Sequence, residues 1–246
     1  MTDLVQDGNV QLQGLTFHYR DYGGQGRGLL LLHGLASNAR FWDLAAPHLA
    51  GGFRVLALDQ RGHGASVKPE RGYDFPTVAA DTVAFIRTMG LNRPVVVGHS
   101  WGGNVAMQVA ADYLGLLTGI VCIDGGIIEP SAMPGATWEQ TERDLAPPDF
   151  ASLHLSWEEF LERARGRGMG NLWGDHLESF LRANFEILPD GTILPRLHRD
   201  KHLLIVRAIW DQRVSELYNR ISSPVLLMPA RREGVAGTSE GSMDTK

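Results

Sequence analysis

The stretch PVVVGHSWGGNVAMQVAA, Pro94 to Ala111, joins a β-branched run to a small-residue helical pattern through Gly98-His99-Ser100-Trp101-Gly102. Val95, Val96 and Val97 read as a strand buried on both faces, and Val105, Val109 and Ala110 recur with helical spacing. Between them the pentapeptide reads as a nucleophile elbow, a tight strand-to-helix turn in which two glycines let strand and helix approach closely. Such a turn lifts the Ser100 hydroxyl clear of the sheet. It also sets that hydroxyl at a helix N-terminus, where free N–H groups favour developing negative charge. In a chain with 29 glycines, the competing reading is a glycine-rich turn with an incidental serine.

Working outward, apolar strands alternate with amphipathic helices. Val10 to Tyr19 alternates about Gly14 and predicts an antiparallel edge hairpin. Leu29 to Leu32 is a fully apolar strand ending at His33-Gly34-Leu35, and Asn38 is a candidate cap for a helix burying Phe41, Leu44, Ala45 and Leu49. Phe53 to Leu58 is the next strand and runs into Asp59-Gln60-Arg61-Gly62-His63-Gly64. A helix over Thr77 to Met89 precedes the elbow, and a strand over Leu117 to Ile123 follows it. The expectation is an α/β fold with a mainly parallel sheet and helices on both faces.

The pattern changes at Glu129. No β-branched strand is evident up to Asp200, and Trp138, Trp157, Phe160, Trp173 and Phe180 sit among charged residues. Helices are expected over Trp138 to Leu145, Ser156 to Arg165 and Leu172 to Phe185. Residues 129–200 therefore read as a helical insertion roofing the strand ends, with residues 1–128 and 201–230 as the core. The competing reading is a peripheral subdomain with no gating role. A longer helix is expected over Lys201 to Asn219, then a strand over Val225 to Met228. Residues 231–246 read as loop or disordered tail.

Composition bounds the function. The 246 residues are 43% hydrophobic and 21% charged, with a formal net charge of -5, which fits a globular domain. The densest basic group, Arg163, Arg165 and Arg167, is broken by glycine, so nucleic acid is not an expected partner. No apolar run approaches a membrane span, and the N-terminus lacks a signal pattern; a cytoplasmic protein with no membrane partner is expected. The single Cys122 lies in an apolar run and forms no disulfide framework. No metal motif or dinucleotide fingerprint is present, so neither metal nor cofactor is expected.

Four motifs occur in order: His33-Gly34, Asp59-Gln60-Arg61-Gly62-His63-Gly64-Ala65-Ser66, Gly98-His99-Ser100-Trp101-Gly102, and Pro224-Val225-Leu226-Leu227-Met228. Together they resemble the α/β-hydrolase superfamily over nearly the whole chain, especially its capped esterases, carbon–carbon bond hydrolases, perhydrolases and epoxide hydrolases. Members that open epoxides or displace halide use aspartate at the elbow; Ser100 instead implies an acyl-enzyme route on an ester, thioester, lactone or activated ketone, with a small carboxylic ester the expected substrate. By the same resemblance, the N–H groups of Leu35 and Trp101 form the oxyanion hole, each worth roughly 3 kcal/mol. His33, Gly34 and His99 would line the substrate site.

The resemblance also requires a base and an orienting carboxylate. Glu233, after the last strand, and Asp124, at the end of the preceding one, are the two candidate acids. The family's base is a histidine beyond the final strand, whereas this sequence has no histidine after His202. The expectation is a hydrolase lacking its last strand, its closing helix and its catalytic histidine, with impaired turnover. An exposed sheet edge would then be covered by a second copy or another partner. A carbon–carbon bond hydrolase, a perhydrolase and a non-catalytic ligand-binding homologue are the alternatives.

Overall fold

A computed structural model of the chain describes residues 5–166 and 173–230. The chain opens with β1 (Gln6–Leu12) and β2 (Leu15–Asp21), an antiparallel hairpin in which Val10 faces Phe17. β3 (Arg27–Leu32) follows, then a 3-10 turn over Ala39–Trp42, α1 (Ala46–Leu49) and β4 (Phe53–Leu58). Next come α2 (Phe75–Thr88), β5 (Val95–His99), α3 (Trp101–Asp112) and β6 (Gly119–Ile123).

The sheet has seven strands in the order β1-β2-β4-β3-β5-β6-β9, where β9 is Val225–Met228. From β4 across to β9 every pairing is parallel, so the crossovers carry helices to both faces. Leu30, Leu31, Leu32, Val96 and Ile120 are almost wholly buried, which is why these strands read as continuous apolar runs. β9 is an exception. Leu226, Leu227 and Met228 are exposed, and among the described residues no strand pairs with its outer edge.

Between β6 and β9 lies the inserted segment. It contains α4 (Trp138–Leu145), α5 (Phe150–Leu153), α6 (Trp157–Ala164) and α7 (Asp175–Arg182). Ser156 and Glu159 close a capping box on α6, as S-x-x-E before an apolar run dictates. A separate small core of Leu155, Phe185 and Ile193, joined by Phe150, Trp157 and Phe160, holds the segment together.

Three expectations need correction. The end of the region read as a helix to Phe185 is instead β7 (Phe185–Ile187), which pairs antiparallel with β8 (Ile193–Pro195) about the turn at Asp190-Gly191. Three-residue strands carry too little periodicity to be read. The helix after Asn38 is a 3-10 turn and a four-residue helix. It buries Ala39, Trp42 and Ala46, while Phe41 and Leu44 face out. Lys201 to Asn219 is two helices, α8 (Arg199–Asp211) and α9 (Val214–Leu217), separated where the Gln212 side chain reaches into the core to bond Asn104 and Gln108.

Candidate active site

Ser100 stands between β5 and α3 with φ +50° and ψ −122°, a conformation that costs energy for a side-chain residue and is held by its surroundings. Its N–H donates to Ile123 O at 2.9 Å and its carbonyl accepts from Gly103 N–H at 2.8 Å. The flanking glycines are required by contact. A Cβ on Gly98 would lie 2.1 Å from Gly102 O, and one on Gly102 would lie 2.6 Å from the carbonyls of Leu32 and His33. The elbow therefore rests directly on the end of β3.

Residues 33–37 form the opposite wall. A Cβ on Gly34 would stand 3.2 Å from Ser100 Cβ, so this backbone lies against the serine. Among the described residues no acceptor takes the Leu35 N–H, and Trp101 N–H is the first of α3, ahead of its hydrogen-bond ladder. Trp101 follows Ser100 directly, and Leu35 follows the glycine packed against it. His33 is fully buried. Its Nδ1–H donates to Gly34 O at 2.7 Å and its Nε2 accepts from Gln60 N–H at 3.1 Å, leaving no free group to offer a substrate. His33 braces the loop rather than lining the site.

His63, from the loop after β4, performs the same service on the other side. Its Nδ1–H donates to Arg61 O and its Nε2 accepts from Ala36 N–H at 3.2 Å, while its ring stacks on Trp101 with centroids 5.2 Å apart. Burial pushes its pKa well below the usual histidine range, and protonation would set two N–H groups against each other. Asp59 is buried beneath this loop. Burial opposes its charge, yet the His18 ring and the Ala39 N–H hold its pKa low; the Ala65 N–H also donates to it.

His99 lies half-buried beside Ser100, stacked on Phe41 at 4.4 Å, with its Nδ1 buried and unpartnered among the described residues. Burial lowers its pKa, and the nearby Asp124 charge offsets part of that. Asp124 is exposed at the end of β6 with φ +47° and accepts from Ala230 N–H at 3.3 Å. Glu233 lies outside the described residues. Among those residues no imidazole hydrogen-bonds the Ser100 hydroxyl.

Over the loop 36–37 lies a cavity of about 230 Å³ between the core and the inserted segment. Phe150, Phe160 and Phe185 line it, and its polar lining residues include Ser37, Asn184 and Arg196 beside His63 and His202. Sequence reasoning singled out none of Ser37, Asn184 and Arg196. Asn184 and Asn38 are 146 residues apart and meet only through the fold. Among the described residues no helix is long and apolar enough to cross a membrane, and no cluster of His, Cys, Asp or Glu is arranged to hold a metal ion.

Comparison with known proteins bears on the fold. N-formylmaleamate deformylase of Pseudomonas putida is 36% identical over 96% of this chain and 82% of its own length. 2-(Acetamidomethylene)succinate hydrolase of Mesorhizobium japonicum is 36% identical over 47% of this chain and 41% of its own. The crystal structure of an E-2-(acetamidomethylene)succinate hydrolase superposes with a TM-score of 0.74 at 25% identity, covering 91% of this chain and 80% of that one. The family model described as the alpha/beta hydrolase fold matches residues 29–224, and with the parallel sheet and the strained serine turn it places this chain in the α/β-hydrolase family.

Proposed function

We propose that this hydrolase acts through Ser100, which attacks the carbonyl of a small ester or N-acyl compound. A bond forms from the serine oxygen to the carbonyl carbon, and the bond to the leaving oxygen or nitrogen breaks, with the proton passing to the leaving group. Water then cleaves the acyl-enzyme and restores the hydroxyl. The N–H groups of Leu35 and Trp101 receive the oxyanion. The observation that carries this reading is the strained Ser100 backbone at the head of α3, with the 34–35 backbone packed against it. Strain at a non-glycine residue is characteristic of a functional turn.

The inserted segment is assigned the role of a cap, and Asp124 and Glu233 remain the candidate orienting carboxylates. The names of the relatives, a deformylase and an acetamidomethylene hydrolase, extend the substrate class from esters to N-acyl groups. With no described imidazole on Ser100, turnover in this chain is expected to favour activated acyl donors such as p-nitrophenyl esters.

Incubation with a fluorophosphonate followed by intact-mass measurement tests the reading. A single adduct, absent from Ser100→Ala, is expected. A second reading, a ligand-binding homologue without turnover, draws support from the lack of an imidazole on Ser100 among the described residues. No adduct on a folded protein that still binds ligand saturably would select it.

A further inference from the structure

The cavity above residues 36–37 has a largely apolar lining that includes Ser37, Asn184 and Arg196 beside two imidazoles, and no acid is present among its lining residues. Ser37 is nine-tenths buried, and its Oγ has no partner among the described residues. The orientation of Asn184 follows from its neighbour. Asn38 Oδ1 accepts from Arg40 N–H at 2.9 Å, so Asn38 Nδ2 must be the donor to Asn184, 2.8 Å away. Asn184 therefore presents Oδ1 to Asn38 and keeps its Nδ2–H₂ free, since no described acceptor takes it.

Arg196 is tied to the same place, because its N–H donates to Asn184 O at 2.8 Å. Its guanidinium has one charged partner, Glu186, at 3.5 Å, and that pair is partly open to solvent on both sides. Such a pair contributes little and yields readily to a better carboxylate. The cavity's imidazoles do not compete for an anion. Both nitrogens of His63 are engaged, His202 Nε2–H donates to Leu145 O at 2.9 Å, and burial lowers the pKa of both rings.

We propose that Ser37, Asn184 and Arg196 bind a carboxylate carried by the substrate, while Phe150, Phe160 and Phe185 enclose the apolar body that bears it. A planar carboxylate suits one forked guanidinium flanked by two neutral donors. A cavity of about 150 Å³ takes benzene, so this one, at about 230 Å³, takes a single ring or short branched chain with its carboxylate. Ser37 lies two residues after Leu35, and the His63 ring, which also lines the cavity, stacks on that of Trp101. This inference rests on the proposed function only in placing the reacting carbonyl at Ser100.

Titration calorimetry with phenylacetate and its uncharged counterpart, 2-phenylacetamide, tests it on the full chain. The acid is expected to bind at least about tenfold tighter, in keeping with a charge-assisted pair. Arg196→Gln should bring the two ligands within about twofold, Arg196→Lys should retain part of the preference, and Ser37→Ala should weaken the acid alone. Thermal midpoints of the variants establish that each is folded, and Ser37→Ala, which leaves Arg196 untouched, keeps the test independent of any loss in the arginine variants. Equal binding of acid and amide, failure of both to bind at millimolar concentration, or an unchanged preference in Arg196→Gln would overturn the proposal. Acid preference in a protein that takes no fluorophosphonate adduct sinks the acyl-enzyme reading alone. An adduct without acid preference sinks the carboxylate site alone.

Discussion

Gly34 packs against Ser100 so closely that an added methyl carbon would stand 3.2 Å from the serine Cβ and 3.0 Å from His99 Nδ1. Its φ is ordinary, so alanine at this position meets crowding without backbone strain. Gly34→Ala is expected to slow fluorophosphonate labelling of Ser100 at least about tenfold, because small displacements of oriented groups weigh heavily on reaction rate. Its unfolding midpoint should move by only a few degrees. Equal labelling rates for variant and parent would detach residues 33–35 from the chemistry.

The elbow glycines should behave differently. Alanine at Gly98 or Gly102 drives a Cβ into carbonyl oxygens of the adjoining backbone. A cost of about 3 kcal/mol or more in urea unfolding is expected, at the upper end of overpacking effects. Gly51, around which nothing lies within 4 Å of such a carbon, is the control and should tolerate alanine within about 0.5 kcal/mol.

Arg61 and Asp81 form a buried bidentate pair at 2.7 and 2.8 Å that anchors the loop carrying His63 to α2. Asp81→Ala leaves the guanidinium buried without a counter-charge and should cost about 3–5 kcal/mol. Replacing both residues, Arg61→Met with Asp81→Leu, should recover most of that loss in the same denaturant experiment.

Stability should depend on pH through opposing histidines. His33, His63, His99 and His202 have pKa values lowered chiefly by burial. For them the unfolded chain binds protons first, so their contribution is present above about pH 6.5 and declines as pH falls below it. His18 has the opposite sign: burial lowers its pKa, but Asp59 and Asp7 outweigh that and raise it. Its contribution is full below about pH 6.5 and declines as pH rises through the raised value. His63→Gln should flatten the acid limb of a stability–pH curve, and His18→Gln the alkaline limb. Unchanged limbs in both variants would place the titration elsewhere.

Much of the fold was legible because local chemistry dictated it. Short apolar runs bounded by turn residues marked Leu29–Leu32, Val95–Val97 and Val225–Met228, and the boundaries of α4 and α6 were set by Thr137 and Ser156 as N-caps. Residues whose role depends on distant partners were not legible. Phe41 and Leu44 have the spacing of a buried face, yet Ala39 and Trp42 turn inward because Asp59 captures the Ala39 N–H and fixes the turn. Gln212 ends α8 for the sake of Asn104, a choice made by a hydrogen bond across the core.

By itself, the order of residues determined the strand–turn–helix at Ser100. The glycines at 98 and 102 and the valines before them encode the bend, which the Ile123 carbonyl and the end of β3 then hold. Tertiary structure alone decided that His33 is sealed inside the loop it braces, and that Ser37, Asn184 and Arg196 line one cavity. Burial and long-range hydrogen bonding are properties of packed surfaces, and they arise only after segments far apart in the chain have been brought into contact.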